Sequence, residues 1–189
     1  MRSAESERRA ALVEHNLLRV EFVNLKYELT QQQIKQQSKM SAVPELAHLG
    51  RVTRSLQPVI LSEHAEGIEP YHVACTRHIF ESHVVLQFHV TNNAEGQRMQ
   101  NVRVRVESLG DADLYTHETE VPLKALPFKS TGSCYISFRT YPTVDSVVTS
   151  FACELRFSVL ADSANSSSPS SYLEEIALQN MELTTKVTC

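Results

Sequence analysis

HVACTRHIFESHVVLQFHV, residues 72–90, places His72, His78, His83, His89 and Cys75 within nineteen positions. Imidazole and thiolate are the usual ligands of zinc, so the stretch reads either as a metal site or as two strands that carry histidines. Alternation separates the two. Tyr71, Val73 and Cys75 share one face of a first run, and Val84, Leu86, Phe88 and Val90 share one face of a second. Period-two patterning of this kind marks strands with one face buried and one wet. A tight turn at Glu81-Ser82 sets Phe80 opposite His83 and carries the pairing back along both runs. His78 then lies diagonal to His83 and His72 diagonal to His89, all on the outer face, where water is expected to solvate them. Cys75 points the other way, into the core. His83 and His89 are six residues apart, about 20 Å at the strand rise. The histidines therefore form two separated pairs, and neither has a third ligand at the roughly 2.0 to 2.3 Å that zinc demands. No metal or cofactor is expected.

Outward from this hairpin the same grammar continues. NVRVRVE turns Val102, Val104 and Val106 inward and Arg103 and Arg105 outward; SCYISF buries Cys134, Ile136 and Phe138. FACELRFSV buries Phe151, Cys153, Leu155, Phe157 and Val159, and ALQNMELTT is a weaker last strand. TNNAEGQRMQ carries a turn at Gly96, and the Ser-rich ADSANSSSPSSY reads as a mobile loop. Six or more antiparallel strands with no helix between them predict a mainly β fold, a β-sandwich. An antibody-type core is not expected, because the chain has no Trp to pack on an inter-sheet disulfide.

Before the strands the pattern differs. Residues 5–39 read as a helix without Gly or Pro, in which Leu18, Phe22, Leu25 and Leu29 recur at helical spacing. Gln31 to Gln37 turns polar, and the apolar stripe needs a partner. Residues 1–40 are thus an N-terminal α-helix and polar linker. Residues 41–62, with Pro44, Gly50 and Pro58, form an extended leader holding one short helical turn. Residues 63–186 make the sandwich.

The 189 residues suffice for one domain plus a tail, and a hydrophobic fraction of 42% is adequate for a core. A net charge of -4, with no run of Lys and Arg, argues against bulk capture of nucleic acid or anionic lipid. The N-terminus lacks an apolar signal region and no stretch is long enough to span a bilayer, so a cytoplasmic location is expected. Cys75, Cys134, Cys153 and Cys189 contain no CxxC and read as reduced, mostly buried thiols. The single sequon, at Asn165, marks only a polar loop.

Catalytic arrangements are equally sparse, and no catalytic or cofactor-binding residue is expected. Asp111, Asp113, Glu118 and Glu120 read as a solvated acidic loop between strands, with nothing to split their pKa values. Cys75 and His78 face opposite sides of one strand, which prevents thiol activation. There is no Gly-rich phosphate loop. Lys124 with Phe128 reads either as a small exposed patch or, the simpler reading, Leu126 and Phe128 cap the open end of the sandwich.

SAVPELAHLG, QPVILSE, CTRHIFESHVVLQFHVTNN, GQRMQNVRVRVES, VPLKALPFKSTGSCY and FACELRFSVLADS, in this order, resemble the appendage region of the gamma subunits of coatomer, the COPI vesicle coat. The resemblance runs from about Ser41 to about Thr185. It implies an immunoglobulin-like antiparallel β-sandwich followed by a smaller mixed α/β platform subdomain. This chain ends at NMELTTKVTC, about where the platform is expected to begin, so the platform is taken as absent and no partner-binding residue is carried over. The resemblance further implies a vesicle-coat adaptor module, a scaffold for accessory proteins in Golgi-to-ER and intra-Golgi transport. Its implied partners are other coatomer subunits and the GTPase-activating proteins of Arf-type GTPases, with membrane association only through the coat. The alternative expectation is an unrelated cytosolic interaction sandwich that oligomerises through its N-terminal helix.

Overall fold

The computed structural model describes residues 2–62, 70–110, 114–141, 147–161 and 171–185. Two compact units divide the chain, Met1–Ala42 and Val43–Cys189. The first is a helix, α1 (Arg2–Ser41). Its apolar residues Leu18, Phe22, Leu25 and Leu29 are all more than half exposed. The second begins with a short 3-10 helix, Pro44–Leu49, where Pro44 supplies the preset φ of a first turn. Gly50 ends it at φ 82, a left-handed backbone that glycine adopts without Cβ strain.

Eleven strands follow among the described residues: β1 (Arg54–Ser55), β2 (Val59–Ile60), β3 (Tyr71–Ile79), β4 (His83–Asn92), β5 (Gln97–Ser108), β6 (Tyr115–Val121), β7 (Leu123–Leu126), β8 (Ser130–Thr140), β9 (Val147–Ala161), β10 (Ser171–Ala177) and β11 (Met181–Thr185). One sheet runs β1-β3-β4-β8-β6, with β2 also on β3; the other runs β10-β9-β5-β7, with β11 also on β9. Every pairing is antiparallel. Their inner faces meet in one core that includes Val73, Cys75, Leu86 and Phe88 from the first sheet and Met99, Val104, Leu155 and Phe157 from the second. The fold class is the mainly β sandwich with an N-terminal helix that the alternation predicts.

The opening hairpin has the expected register. Cys75 pairs with Phe88 and Ile79 with Val84, and the Phe80 N–H donates to the His83 carbonyl at 2.8 Å across the Glu81-Ser82 turn. Asn92 then fastens the two sheets. Its buried amide donates to the carbonyls of Gln97 at 2.9 Å and Leu126 at 3.1 Å, and its Oδ1 accepts from the Ala94 N–H at 3.0 Å. Arg77 ties the leader to the second sheet, donating to the carbonyls of Gln57 and Glu182. The leader is therefore only partly extended coil: β1 and β2 add to the edge of β3, at Ile79 and Cys75.

The segment expected as an acidic loop is different. Glu118 and Glu120 lie on β6, an edge strand paired to β8, while Asp111 and Asp113 lie outside the described residues. β6 hides its strand character because it buries little beyond Tyr115. The Ser-rich loop, the sequon and Cys189 likewise lie outside the described residues.

Cys75, Cys134 and Cys153 are free and buried, in agreement with the expectation of reduced core thiols. Burial pushes the Cys134 and Cys153 thiols from the ordinary 9.0 up to about 12, and raises Cys75 as well. A thiol raised in the folded state contributes fully below its unfolded pKa and loses that contribution as pH climbs toward the folded value. Stability is therefore expected to hold up to pH 9 and then fall between pH 9 and 12, by at most roughly 1.4 kcal/mol per thiol per pH unit. Urea midpoints at pH 8 and pH 10 measure this. A Cys134→Ala/Cys153→Ala variant is expected to show a shallower pH slope, and an unchanged slope contradicts the assignment.

Candidate functional site

A sandwich of this kind can present two outer sheet faces and its edges to a partner. The outer face of the first sheet carries His72, His78, His83 and His89, and here the expectation of solvated histidines is corrected. His78 and His83 are buried, and His72 and His89 are half-buried. Along β4 the residues from His83 to Phe88 are buried on both faces, and alternation resumes only at His89. A covering layer over the hairpin end accounts for this. The 3-10 helix, adjacent to β6, buries Leu46 and Leu49, and Val52 is buried just after it. These apolar residues lie outside the main core cluster, and the outward-facing Val85 and Ser137 are fully buried although no strand of their own sheet can shield them. The leader thus covers this face at its hairpin end.

Under and beside that cover the polar side chains form one hydrogen-bonded relay across β1, β3, β4 and β8. Ser55 Oγ meets His78 Nδ1 at 2.8 Å, and His78 Nε2 meets Gln87 Oε1 at 3.0 Å. The Gln87 amide donates to Ser133 Oγ at 3.2 Å and Tyr135 Oη at 3.3 Å. Ser133 Oγ continues to His89 Nδ1 at 3.1 Å, and His89 Nε2 reaches Thr76 Oγ1 at 3.2 Å. Since the Gln87 nitrogen is used as a donor, its oxygen accepts, and the His78 proton sits on Nε2 with Ser55 donating to Nδ1. A buried polar group needs such partners, and each one fixes the orientation of the next. His72 Nδ1 separately meets Ser62 Oγ at 3.1 Å.

His83 closes the hairpin onto the edge strand. Its Nδ1 meets Ser82 Oγ at 2.9 Å, and Nε2 stands 2.8 Å from Glu118 Oε2, close but poorly directed for an N–H bond. The register of β6 on β8 slips between His117 and Thr119, so Glu118 is the extra residue of a β-bulge. The bulge is what brings that carboxylate to the histidine. No spacing rule in the sequence exposes this pair.

Among the described residues no three His, Cys, Asp or Glu side chains converge as metal ligands. Cys75 lies in the core and His78 on the opposite side of β3, as the alternation predicts. Leu126 is buried in the core, Phe128 is half-buried with the Lys129 ammonium 5.1 Å from its ring centre, and Lys124 is exposed. The relay thus links hydroxyl, amide and imidazole groups of four neighbouring strands.

The second sheet keeps its outer face open. Arg103 and Arg105 project outward and are about half exposed. Arg105 meets Glu107 on its own strand and stands opposite Glu154 in the register. Arg156 holds Glu154 at 2.7 Å and Glu175 at 3.4 Å. Glu154 raises the Arg156 pKa further, so this guanidinium is charged throughout the accessible range. Leu173 of β10 adds an exposed apolar side chain, paired with Ser158. No helix among the described residues is long and apolar enough to cross a membrane.

Two antiparallel sheets on one core, the first covered by a leader at its hairpin end and the second bearing a charged outer face, define a β-sandwich module. Residues 34–184 match the family model described as the coatomer gamma subunit appendage platform subdomain. The chain belongs to that family of coatomer gamma appendages. It is 34% identical over 152 residues to human coatomer subunit gamma-2, a match covering 78% of this chain and 17% of the relative. To mouse coatomer subunit gamma-1 it is 33% identical over 164 residues, covering 84% and 18%. Coatomer subunit gamma of Dictyostelium discoideum is 28% identical over 151 residues, covering 79% and 16%. The chain thus spans about a sixth of the length of these relatives. The matched residues take in the end of α1, the leader and both sheets, and so include 63–184 of the 63–186 that the sequence assigns to the sandwich.

Proposed function

We propose that this chain is a non-catalytic scaffold module of a COPI-type coat, which presents the open face of its second sheet to accessory proteins in Golgi-to-ER and intra-Golgi transport. Family membership over residues 34–184 is the observation that carries the reading. The cover over the hairpin end of the first sheet supports the choice of face, because a partner there would have to displace Leu46, Leu49 and Val52. Other coatomer subunits and Arf GTPase-activating proteins are the proposed partners. The location is cytoplasmic, at Golgi membranes and coated vesicles, with attachment through the coat rather than through this chain. Alternating Arg and Glu side chains around Leu173 suit short charged peptides with an apolar anchor, each binding weakly and gaining strength from many copies in a polymerised coat.

The test is titration of the purified chain with an Arf GTPase-activating protein, followed by calorimetry. Reversing Arg103 and Arg105 to Glu is expected to weaken binding about tenfold while leaving the fold intact by circular dichroism. No binding to any coat component, or binding indifferent to both charges, overturns the reading.

A further inference from the structure

We propose that α1 pairs with α1 of a second copy of this chain, as a parallel, in-register two-stranded coiled coil over residues 14–36. His15, Leu18, Phe22, Leu25, Leu29 and Gln32 follow one another at steps of three, four, three, four and three residues, the a/d spacing of a heptad seam. The four apolar members of the seam are 53% to 64% exposed, far more than a folded chain leaves on one stripe without a partner. Leu17, Val20, Val23, Tyr27 and Ile34 are also exposed, but the second stripe they offer, Leu17, Val20, Asn24, Tyr27, Gln31 and Ile34, is broken by Asn24 and Gln31 after its first heptad. Only the stripe through Leu18, Phe22, Leu25 and Leu29 keeps four successive seam positions apolar.

The flanking charges identify the occupant. With His15, Phe22 and Leu29 at a, the g positions are Glu14, Glu21 and Glu28, and the e positions are Arg19, Lys26 and Gln33. In a parallel pair each g side chain faces the e side chain five residues further along the other helix. Glu14 then meets Arg19 and Glu21 meets Lys26 of the second copy, twice over by symmetry. An antiparallel pair sets g against g and e against e, which opposes glutamate to glutamate and cation to cation. The charge pattern thus fits a second copy of the same helix, in one direction and one register. Two alternating glutamines, Gln32 and Gln36, close the seam at its C-terminal end, so the association is weak and concentration-dependent.

Sedimentation equilibrium of the full chain tests this. The wild type is expected to approach twice its monomer mass at about 100 µM, as befits a seam of some three heptads. Two variants probe the charges: Glu14→Lys/Glu21→Lys and Arg19→Glu/Lys26→Glu. Each sets like charges along both flanks, and each alone is expected to associate about tenfold more weakly. Their equimolar mixture restores every opposite-sign pair and is expected to regain wild-type association, which a misfolded helix could not do. A monomeric wild type, variants that associate as the parent does, or a mixture no better than either variant alone each overturns the proposal.

Discussion

Phe88→Ala is expected to lower the unfolding free energy by about 3 to 5 kcal/mol. Phe88 is fully buried at the middle of β4, a central strand paired on both sides. Its immediate neighbours across the ladder are Cys75 on β3 and Cys134 on β8, two small side chains that leave the ring to fill the space between the sheets. Truncation removes the transfer free energy of the ring and leaves a void that β-sheet backbone cannot collapse to fill. Such a loss is a large part of the 5 to 15 kcal/mol typical of a domain. Because the chain has no Trp, circular dichroism in urea is the suitable probe. A loss below about 1 kcal/mol contradicts a close-packed centre at this position.

Gln87→Leu is expected to cost about 2 to 4 kcal/mol, although leucine fills similar space and the site is buried. The variant strips the acceptor from the Nε2–H of His78, a ring with no exposure to water, and removes the donor that holds Ser133 and Tyr135. His78→Leu is expected to be similarly costly, since it leaves the Gln87 oxygen without its donor. The double variant distinguishes a relay from two independent sites. With both partners apolar, the mutual penalty disappears, so the double variant is expected to be about 1 to 3 kcal/mol more stable than the sum of the single losses implies. Additive losses in this cycle contradict the relay.

The contrast between these two residues shows what alternation conveys. Phe88 and Gln87 are adjacent, and period two puts them on opposite faces, as found. The sequence identifies the inward face because Val84, Leu86, Phe88 and Val90 are all apolar. The outward face reads as wet because it carries His, Gln and Thr, which water satisfies equally well. Burial in the folded chain, at His78, Gln87 and Ser137 as at Leu46, Leu49 and Val52 of the leader, turns those same side chains into a relay that must be satisfied internally. Sequence spacing cannot report this, since the covering residues precede β4 by some thirty positions and contact is non-local. β6 was illegible for a related reason. An edge strand with a bulge at Glu118 buries one side chain and presents charge elsewhere, so its composition is that of a loop.

The open face was more legible. Arg103 and Arg105 alternate with buried valines, and that alone directs them outward. Which cations pair with Glu154 and Glu175 depended on strand order, because β5, β9 and β10 are neighbours in the sheet and far apart in the chain.

By itself the sequence determined the helix, the core-facing residue of each major strand, the register of the β3–β4 hairpin and the burial of the core thiols. These follow from local periodicity and from a turn that permits one pairing. The tertiary structure decided which outer face is covered at its hairpin end, which histidines are buried, that Glu118 meets His83, and that Asn92 fastens one sheet to the other. Each of these depends on segments distant in sequence meeting in space, where burial converts a polar side chain from a solvated group into one that must find its partner within the fold.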